Sequence, residues 1–233
     1  MLEVDLVSER VKRIGLVIDF LREHEDSFTS FEKKQILDTL DYDYILNMHN
    51  YICLEVYDGL GLLPDSLNPY KAFLKLLDDQ FDVKNKNIIE IGGGKIPCLA
   101  KRISSIQNMG CITVYDPNLI EDGIYDNLIL RKRRFTSITN VSNADILVGL
   151  LPCGSSSIIV SAAARYNKDF MIALCDSHNN LELFDDVEEN LDWPDNFIEE
   201  VKTIVEDNAM GKLKVKRLNE IGDNYPIIYN DRG

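Results

Sequence analysis

The sequence predicts an α/β fold: a mostly parallel sheet that ends in an antiparallel hairpin, preceded by a helical N-terminal extension. Two patterns along the chain support this prediction. Up to residue 82 the apolar residues recur with helical period and show no strand-like alternation. From residue 83 onward, short apolar runs alternate with helical patterns, which is typical of parallel strands joined by crossover helices. We therefore expect a helical domain or cap over 1–82 and a sheet domain over 83–233.

The extension contains four predicted helices. In the first, apolar residues recur at steps of four and three: Val7, Val11, Ile14, Ile18 and Leu21. Thr29 and Glu32 fit a capping box that opens the second helix. A third helix is predicted from about 43 to 57. Asn68 followed by Pro69 predicts the N-cap and first position of the fourth.

The sheet domain alternates predicted strands with predicted helices. The predicted strands are residues 87–91, 111–115, 128–131, 145–151, 170–175, 212–218 and 225–230. The predicted helices begin at Pro97, cover 156–166 and cover 195–206. The last two strands are joined by a turn around Gly222-Asp223-Asn224, which predicts a hairpin and an antiparallel end to the sheet.

The first predicted strand ends in the run Gly92-Gly93-Gly94, and a helix begins a few residues later. Glycines at this position let the backbone approach a ligand closely. The dinucleotide-binding fingerprint requires a third glycine three residues after Gly94, and Pro97 stands there instead. Glu90 is an acid inside the apolar strand. Asp116 ends the next strand, where a carboxylate can accept two ribose hydroxyls.

This arrangement resembles the first two motifs of class I S-adenosylmethionine-dependent methyltransferases. Their glycine motif has the form acid-x-G-x-G-x-G, and an acid at the end of the second strand binds the ribose. Glu90, Gly92 and Gly94 match this form, and Ile96 stands where the last glycine is usual. Asp116 matches the ribose acid. The resemblance implies a Rossmann-like domain that binds S-adenosylmethionine.

The resemblance extends over about residues 83–230 and implies a set of site residues. The cofactor-binding residues that it implies are Glu90, Gly92, Gly93, Gly94, Asp116, Pro117, Asn118, Leu151 and Pro152. The glycines would hold the methionine moiety, Asp116 the ribose, and Pro117 and Asn118 would lie beside the adenine. Glu90 would orient the loop or the amino group of the cofactor.

The catalytic candidates follow the fifth strand, because ligands in such sheets lie beyond the strands' carboxyl ends. His178 and Asp176 are the expected bases for an acceptor that carries a proton. A solvated surface loop is the alternative interpretation of His178. Leu151 stands where amino-methylating relatives carry an amide or an acid, which argues against N-methylation of DNA.

Two narrower likenesses widen the choice of reaction. The segment from Gly94 to Leu99 is similar to the G-x-x-P-x-(L/V) segment of small archaeal Rossmann-like proteins. It also resembles the glycine loop of nicotianamine-synthase-type enzymes, which carry a helical domain before their Rossmann half. Those enzymes transfer the aminocarboxypropyl group instead of the methyl group. Aminocarboxypropyl transfer is therefore an alternative to methyl transfer.

Two further alternatives belong to other classes of protein. The missing last glycine at Ile96 and the lack of a recognisable acceptor motif are compatible with a non-catalytic Rossmann-like interaction module. A nicotinamide-cofactor enzyme ranks third, because Pro97 interrupts the fingerprint and no hydride-transfer motif is recognisable.

Composition restricts the partners. The chain has 233 residues, 45% of them hydrophobic, and a net charge of −14, which argues against general nucleic-acid binding. The expected acceptor is a small molecule, and the oligomeric state stays open. No apolar run reaches the length of a membrane span, and five widely spaced cysteines fit a reduced, cytoplasmic protein. The sequence contains no closely spaced pair of metal ligands such as C-x-x-C, so it does not predict a metal site.

Overall fold

The structure is a computed structural model that describes residues 2–38, 51–65, 68–152, 154–175, 194–218, 221 and 225–233. The described residues form an N-terminal group of helices followed by a sheet with helices on both faces, which confirms the predicted fold class. The boundary between domains at residues 82 and 83 stays a prediction. No helix in the described ranges is long and apolar enough to cross a membrane.

The second and fourth N-terminal helices begin at the predicted signals, whereas the predicted start of the third, near residue 43, lies outside the described residues. The N-terminal helices are α1 (Leu2–Glu23), a short 3-10 helix (Glu25–Ser27), α2 (Ser30–Asp38), α3 (Tyr51–Gly59) and α4 (Pro69–Phe81). The capping box is confirmed, because Glu32 Oε2 accepts from Thr29 N at 2.8 Å and Thr29 Oγ1 accepts from Glu32 N at 3.2 Å. The side chain of Asn68 caps α4 by accepting from Lys71 N at 3.0 Å.

The described residues after α4 include eight strands: β1 (Ile88–Ile91), β2 (Ile112–Tyr115), β3 (Gly123–Tyr125), β4 (Leu128–Arg131), β5 (Ile146–Leu150), β6 (Asp169–Ala173), β7 (Lys212–Lys216) and β8 (Ile227–Asp231). They form one sheet with the order β3-β4-β2-β1-β5-β6-β8-β7. The connecting helices are α5 (Cys98–Ser104), α6 (Ser156–Tyr166) and α7 (Asp195–Asp207).

The centre of the sheet is parallel and its two edges are antiparallel. Strands β4, β2, β1, β5 and β6 pair in parallel. The predicted antiparallel end is confirmed, because β8 lies between β6 and β7 and runs antiparallel to both. At the other edge β3, which the sequence did not predict, pairs antiparallel with β4. The predicted turn at 222–224 lies outside the described residues.

Three apolar clusters hold the described residues together. Alternating strand residues face opposite sides of the sheet, so Ile88 packs with residues of α4 and α5, whereas Ile89 packs with residues of α6 and α7. The third cluster consists of apolar residues of the N-terminal helices together with Ile96 and Cys98, which follow β1 in sequence. The segment that follows the glycine loop (Gly92-Gly93-Gly94) therefore completes the core of the N-terminal helices.

A buried polar network also joins α3 to α5. The Asp58 carboxylate accepts from the Arg102 guanidinium through both of its oxygens, with the Nε–Oδ2 distance at 3.2 Å. Asn68 Nδ2 donates to Asp58 Oδ1 at 2.6 Å, and the Asn68 side chain is fully buried. This bidentate geometry fixes the orientation of α3 relative to the helix that follows the glycine loop.

Candidate functional site

A cavity of about 730 Å³ lies at the carboxyl ends of the central strands. From β1 the chain proceeds to β2 and β4 on one side, and then returns to β5 on the other side of β1. Ligands of open α/β sheets bind at such a reversal of strand order. The volume is within the usual range for sites that take a cofactor or a small molecule.

The walls of the cavity come from four parts of the chain. The glycine loop and Asp116 form the floor, and Phe135 stands on the β4 side. Leu150 and Leu151 close the β5 side. The N-terminal helices contribute the remaining wall, which we call the helical wall. It consists of Leu54, Glu55, Pro69 and Tyr70.

The glycine loop has a backbone shape that requires glycine at two positions. Gly92 and Gly94 have φ angles of +78° and +74°, which are unfavourable for residues with a side chain. A Cβ atom at Gly92 would lie 2.8 Å from Pro152 Cα, and one at Gly94 would collide with the Glu55 carboxylate. The glycines therefore allow Pro152 to pack closely on one part of the loop and the Glu55 carboxylate on another.

Asp116 connects the end of β2 to this loop. Its Oδ2 accepts from Gly94 N at 3.0 Å and its Oδ1 from Asn118 N at 2.7 Å. The side chain is buried yet lines the cavity. Burial raises the pKa of Asp116 from its usual value, while the bonds from Asn118 and Gly94 oppose the rise. Each oxygen keeps a lone pair that can accept from a ligand hydroxyl.

Glu90 lies beneath the loop. It is 2% exposed, and its Oε2 accepts from Ala100 N at 3.0 Å. Burial raises the pKa of Glu90 to about 8, partly offset by the Ala100 bond, and the Asp116 charge raises it further. Its role of orienting the loop or the amino group of a cofactor stays a prediction.

Glu55 is a site residue that the sequence did not predict. It lies on α3, and its Oε2 accepts from Lys95 N at 2.9 Å and from Ile96 N at 3.2 Å. Burial of the carboxylate raises its pKa to about 8 against these two bonds. The only signal in the sequence is an acid inside the apolar run from Ile52 to Val56. That signal does not identify the surface that the acid faces.

Ile96 and Lys95 turn away from the cavity toward the N-terminal helices. The Ile96 side chain is 3% exposed and belongs to their apolar cluster. Lys95 Nζ donates to the carbonyl of Ser27, lies 3.4 Å from Glu32 and stands 5.2 Å from the centre of the Phe28 ring. The departure from the usual last glycine thus has a physical reason, because Ile96 anchors the helices to the loop.

The β5 end also carries backbone strain. Leu151 has a φ of +55°, and its N–H donates to the carbonyl of Ala173 at 3.0 Å. Such strain in a residue with a side chain is frequent at functional sites. Leu151 lines the cavity, whereas Pro152 packs behind it against Gly92.

The other predicted site residues divide into two groups. Pro117 and Asn118 are exposed and line the cavity beside Asp116, so the structure brings them together with the loop. Asp176 and His178 lie outside the described residues, and their catalytic role stays a prediction. No cluster of three His, Cys, Asp or Glu side chains suited to a metal ion occurs among the residues that the structure describes.

Comparisons by sequence give no match: no family model and no curated protein matches the chain. By structure, the chain is similar to a candidate S-adenosyl-L-methionine-dependent methyltransferase from Methanococcus maripaludis. That pair has 13% identity and a TM-score of 0.46, and the match covers 81% of this chain and 94% of the other.

The chain is also similar to two further solved structures. A SAM-dependent methyltransferase from Aquifex aeolicus shares 14% identity at a TM-score of 0.41, with 67% of this chain and 87% of the other covered. The plantazolicin methyltransferase BpumL, solved in complex with SAH, shares 12% identity at a TM-score of 0.44, with 94% and 100% covered.

The order of strands assigns the fold independently of these scores. Apart from the added edge strand β3, the sheet has five parallel strands and then an antiparallel strand inserted before the last. This is the Rossmann-like fold of class I methyltransferases. The glycine loop directly follows β1, and Asp116 directly follows β2.

Proposed function

We propose that this protein binds S-adenosylmethionine and transfers its methyl group to a small molecule. The observation that carries the proposal is the bond between Gly94 N and Asp116 Oδ2. It joins the glycine loop and the acid at the end of β2 into one floor, inside a cavity of suitable volume at the reversal of strand order.

The residues present fit the cofactor chemically. Gly92, Gly93 and Gly94 line the cavity, and the methionine moiety would lie on this loop. Asp116 would accept the ribose hydroxyls, and Pro117 and Asn118 would lie beside the adenine. Leu151, with Pro152 packed behind it, would form the β5 side of the site. When bound, the cofactor supplies an electrophilic methyl group on a sulfonium.

The remaining part of the cavity would position the acceptor. Leu54, Leu150, Leu151 and Ile158 give it apolar walls, and the helical wall shields it from solvent on one side. Alignment supplies much of the rate in a simple displacement. His178 and Asp176 are the proposed bases for an acceptor that carries a proton.

The proposal is tested by calorimetric titration with S-adenosylmethionine, S-adenosylhomocysteine and NAD. We expect both sulfur compounds to bind near micromolar affinity, which corresponds to about −8 kcal/mol. Asp116→Ala should weaken this binding by about tenfold to a hundredfold, because the two ribose hydroxyls lose the carboxylate that would accept their hydrogen bonds. Asp122→Ala is the matched control, since Asp122 is exposed and outside the cavity lining.

The other outcomes separate the alternatives. Binding of NAD alone would indicate a nicotinamide enzyme, and no binding of any of the three would indicate an interaction module. If S-adenosylmethionine binds, the product identifies the transferred group. Release of S-adenosylhomocysteine indicates methyl transfer, and release of 5′-methylthioadenosine indicates aminocarboxypropyl transfer.

A further inference from the structure

Glu55 is the carboxylate through which the N-terminal helices enter the cavity. Its Oε2 is occupied by the N–H groups of Lys95 and Ile96. Its Oε1 lies over the Cα of Gly94, and no donor among the described residues bonds to it. One half of this carboxylate is therefore held in place while the other half is free to meet a ligand.

Among the residues that the structure describes, no cationic side chain pairs directly with Glu55. Lys95 donates its backbone N–H to Glu55, but it directs its ammonium group to Ser27 and Glu32. Glu90 and Asp116 line the same cavity, so it holds three carboxyl groups against one guanidinium, that of Arg134. Such an excess of carboxyl groups favours a cationic ligand group.

The other two carboxylates are less available to a cation. Glu90 is 2% exposed beneath the loop, and Asp116 accepts from a backbone N–H through each of its oxygens. Glu55 is partly exposed, and its free oxygen is above the loop. A cation lying on the glycine loop would therefore meet Glu55 first.

We propose that Glu55 binds the ammonium group of the aminocarboxypropyl end of S-adenosylmethionine. This inference rests on the proposed function. It assigns to the N-terminal helices a direct part in recognising the cofactor, whereas the sequence analysis expects Glu90 to orient either the loop or the amino group. A hydrogen bond between a carboxylate and an ammonium group is stronger than one between neutral groups, and partial burial strengthens such a bond further.

The test compares ligands that differ only at this end. S-Adenosylhomocysteine carries the ammonium group, its decarboxylated form carries the ammonium without the carboxylate, and 5′-methylthioadenosine carries neither. We expect Glu55→Gln to weaken the first two by about tenfold to a hundredfold. Binding of 5′-methylthioadenosine should change less than about twofold, a change worth roughly 0.4 kcal/mol.

Glu32→Gln is the control for attachment of the helices to the loop. Glu32 pairs with Lys95 but is not part of the cavity lining. Its substitution should weaken all three ligands equally or not at all. Equal weakening of all three ligands by Glu55→Gln would overturn the inference, because Glu55 would then only support the loop. Unchanged affinities in Glu55→Gln would overturn it as well.

A second measurement uses the wild-type protein and needs no variant to fold. The raised pKa of Glu55 means that it is partly protonated near neutral pH, and an ammonium group would expel that proton. Titrations at pH 7.5 in buffers of different ionisation enthalpy should show proton release with S-adenosylhomocysteine and less with 5′-methylthioadenosine. Equal release would contradict the inference. If the wild type binds none of these ligands, the proposed function itself fails.

Discussion

Glu90 is a carboxylic acid buried under the glycine loop, with a pKa of about 8 in the folded protein against 4.5 for an exposed glutamic acid. At a pH between these two pKa values, Glu90 holds a proton in the folded chain and releases it in the unfolded chain. The stabilising effect of this proton is complete at low pH and is lost as the pH rises through about 8. The burial of one side chain thus links folding to the pH of the solution.

We predict that Glu90→Gln reduces the loss of stability on raising the pH. The slope that Glu90 contributes is at most about 1.4 kcal/mol per pH unit. Urea unfolding of the wild type and the variant at pH 5.5, 6.5, 7.5 and 8.5 measures it. Glutamine keeps an oxygen for the bond from Ala100 N, so the effect is one of charge. Parallel pH profiles for the two proteins would refute the prediction.

At the scale of single residues, the sequence predicts best those groups whose role depends on near neighbours. Gly92, Gly94 and Asp116 were predicted as parts of one site, because a strand end and a glycine run are local features, and the structure brings them to one cavity. Glu55 lies about 40 residues before the loop that it contacts. Its neighbours in the helix contain no information about that distant partner.

Helices and strands, too, were predicted best where near neighbours in sequence determine them. Thr29 with Glu32 and Asn68 with Pro69 marked helix starts correctly, since capping depends on residues three positions apart. Strand β3 was missed because it has three residues at the sheet edge, and Ile124 is 67% exposed. Without a buried face, such a strand lacks the alternation that sequence analysis detects.

At the level of elements, we predict that the attachment of α3 to α5 depends on Asp58. Asp58→Ala leaves the buried Asn68 amide and the Arg102 guanidinium without their shared acceptor, which should cost about 2–3 kcal/mol of unfolding free energy. The measurement is the urea midpoint at constant slope.

Asp65→Ala provides the matched control for this prediction. Asp65 pairs with Lys71, and its side chain is 78% exposed, so solvent replaces the lost partner. We expect its urea midpoint to be nearly that of the wild type. Equal midpoints for the two variants would show that the Asp58 network contributes nothing.

At the scale of the whole molecule, Ile96 joins the helical and sheet parts. It follows the glycine loop in sequence, yet it is buried in the cluster of the N-terminal helices and lies against Gly59. The proposed boundary at residues 82 and 83 therefore separates two parts that share a core residue. A shared core favours joint unfolding.

We predict that Ile96→Ala lowers the unfolding free energy of the whole chain by about 2–4 kcal/mol, because it leaves a cavity in a packed cluster. Circular dichroism, which follows the helices, and the fluorescence of the single tryptophan, Trp193, should give coincident transitions in both the wild type and the variant. Ile124→Ala is the control, since its side chain is exposed. Two separated transitions in the wild type would show instead that the parts unfold independently.

The burial of Ile96 among the N-terminal helices also affects how the chain folds as it is made. The N-terminal helices are synthesised first, but two members of their core, Ile96 and Cys98, come after β1. Until those residues leave the ribosome, the apolar faces of the helices lack part of their native covering. The N-terminal part of this protein can therefore complete its core only after the first strand of the sheet has been translated.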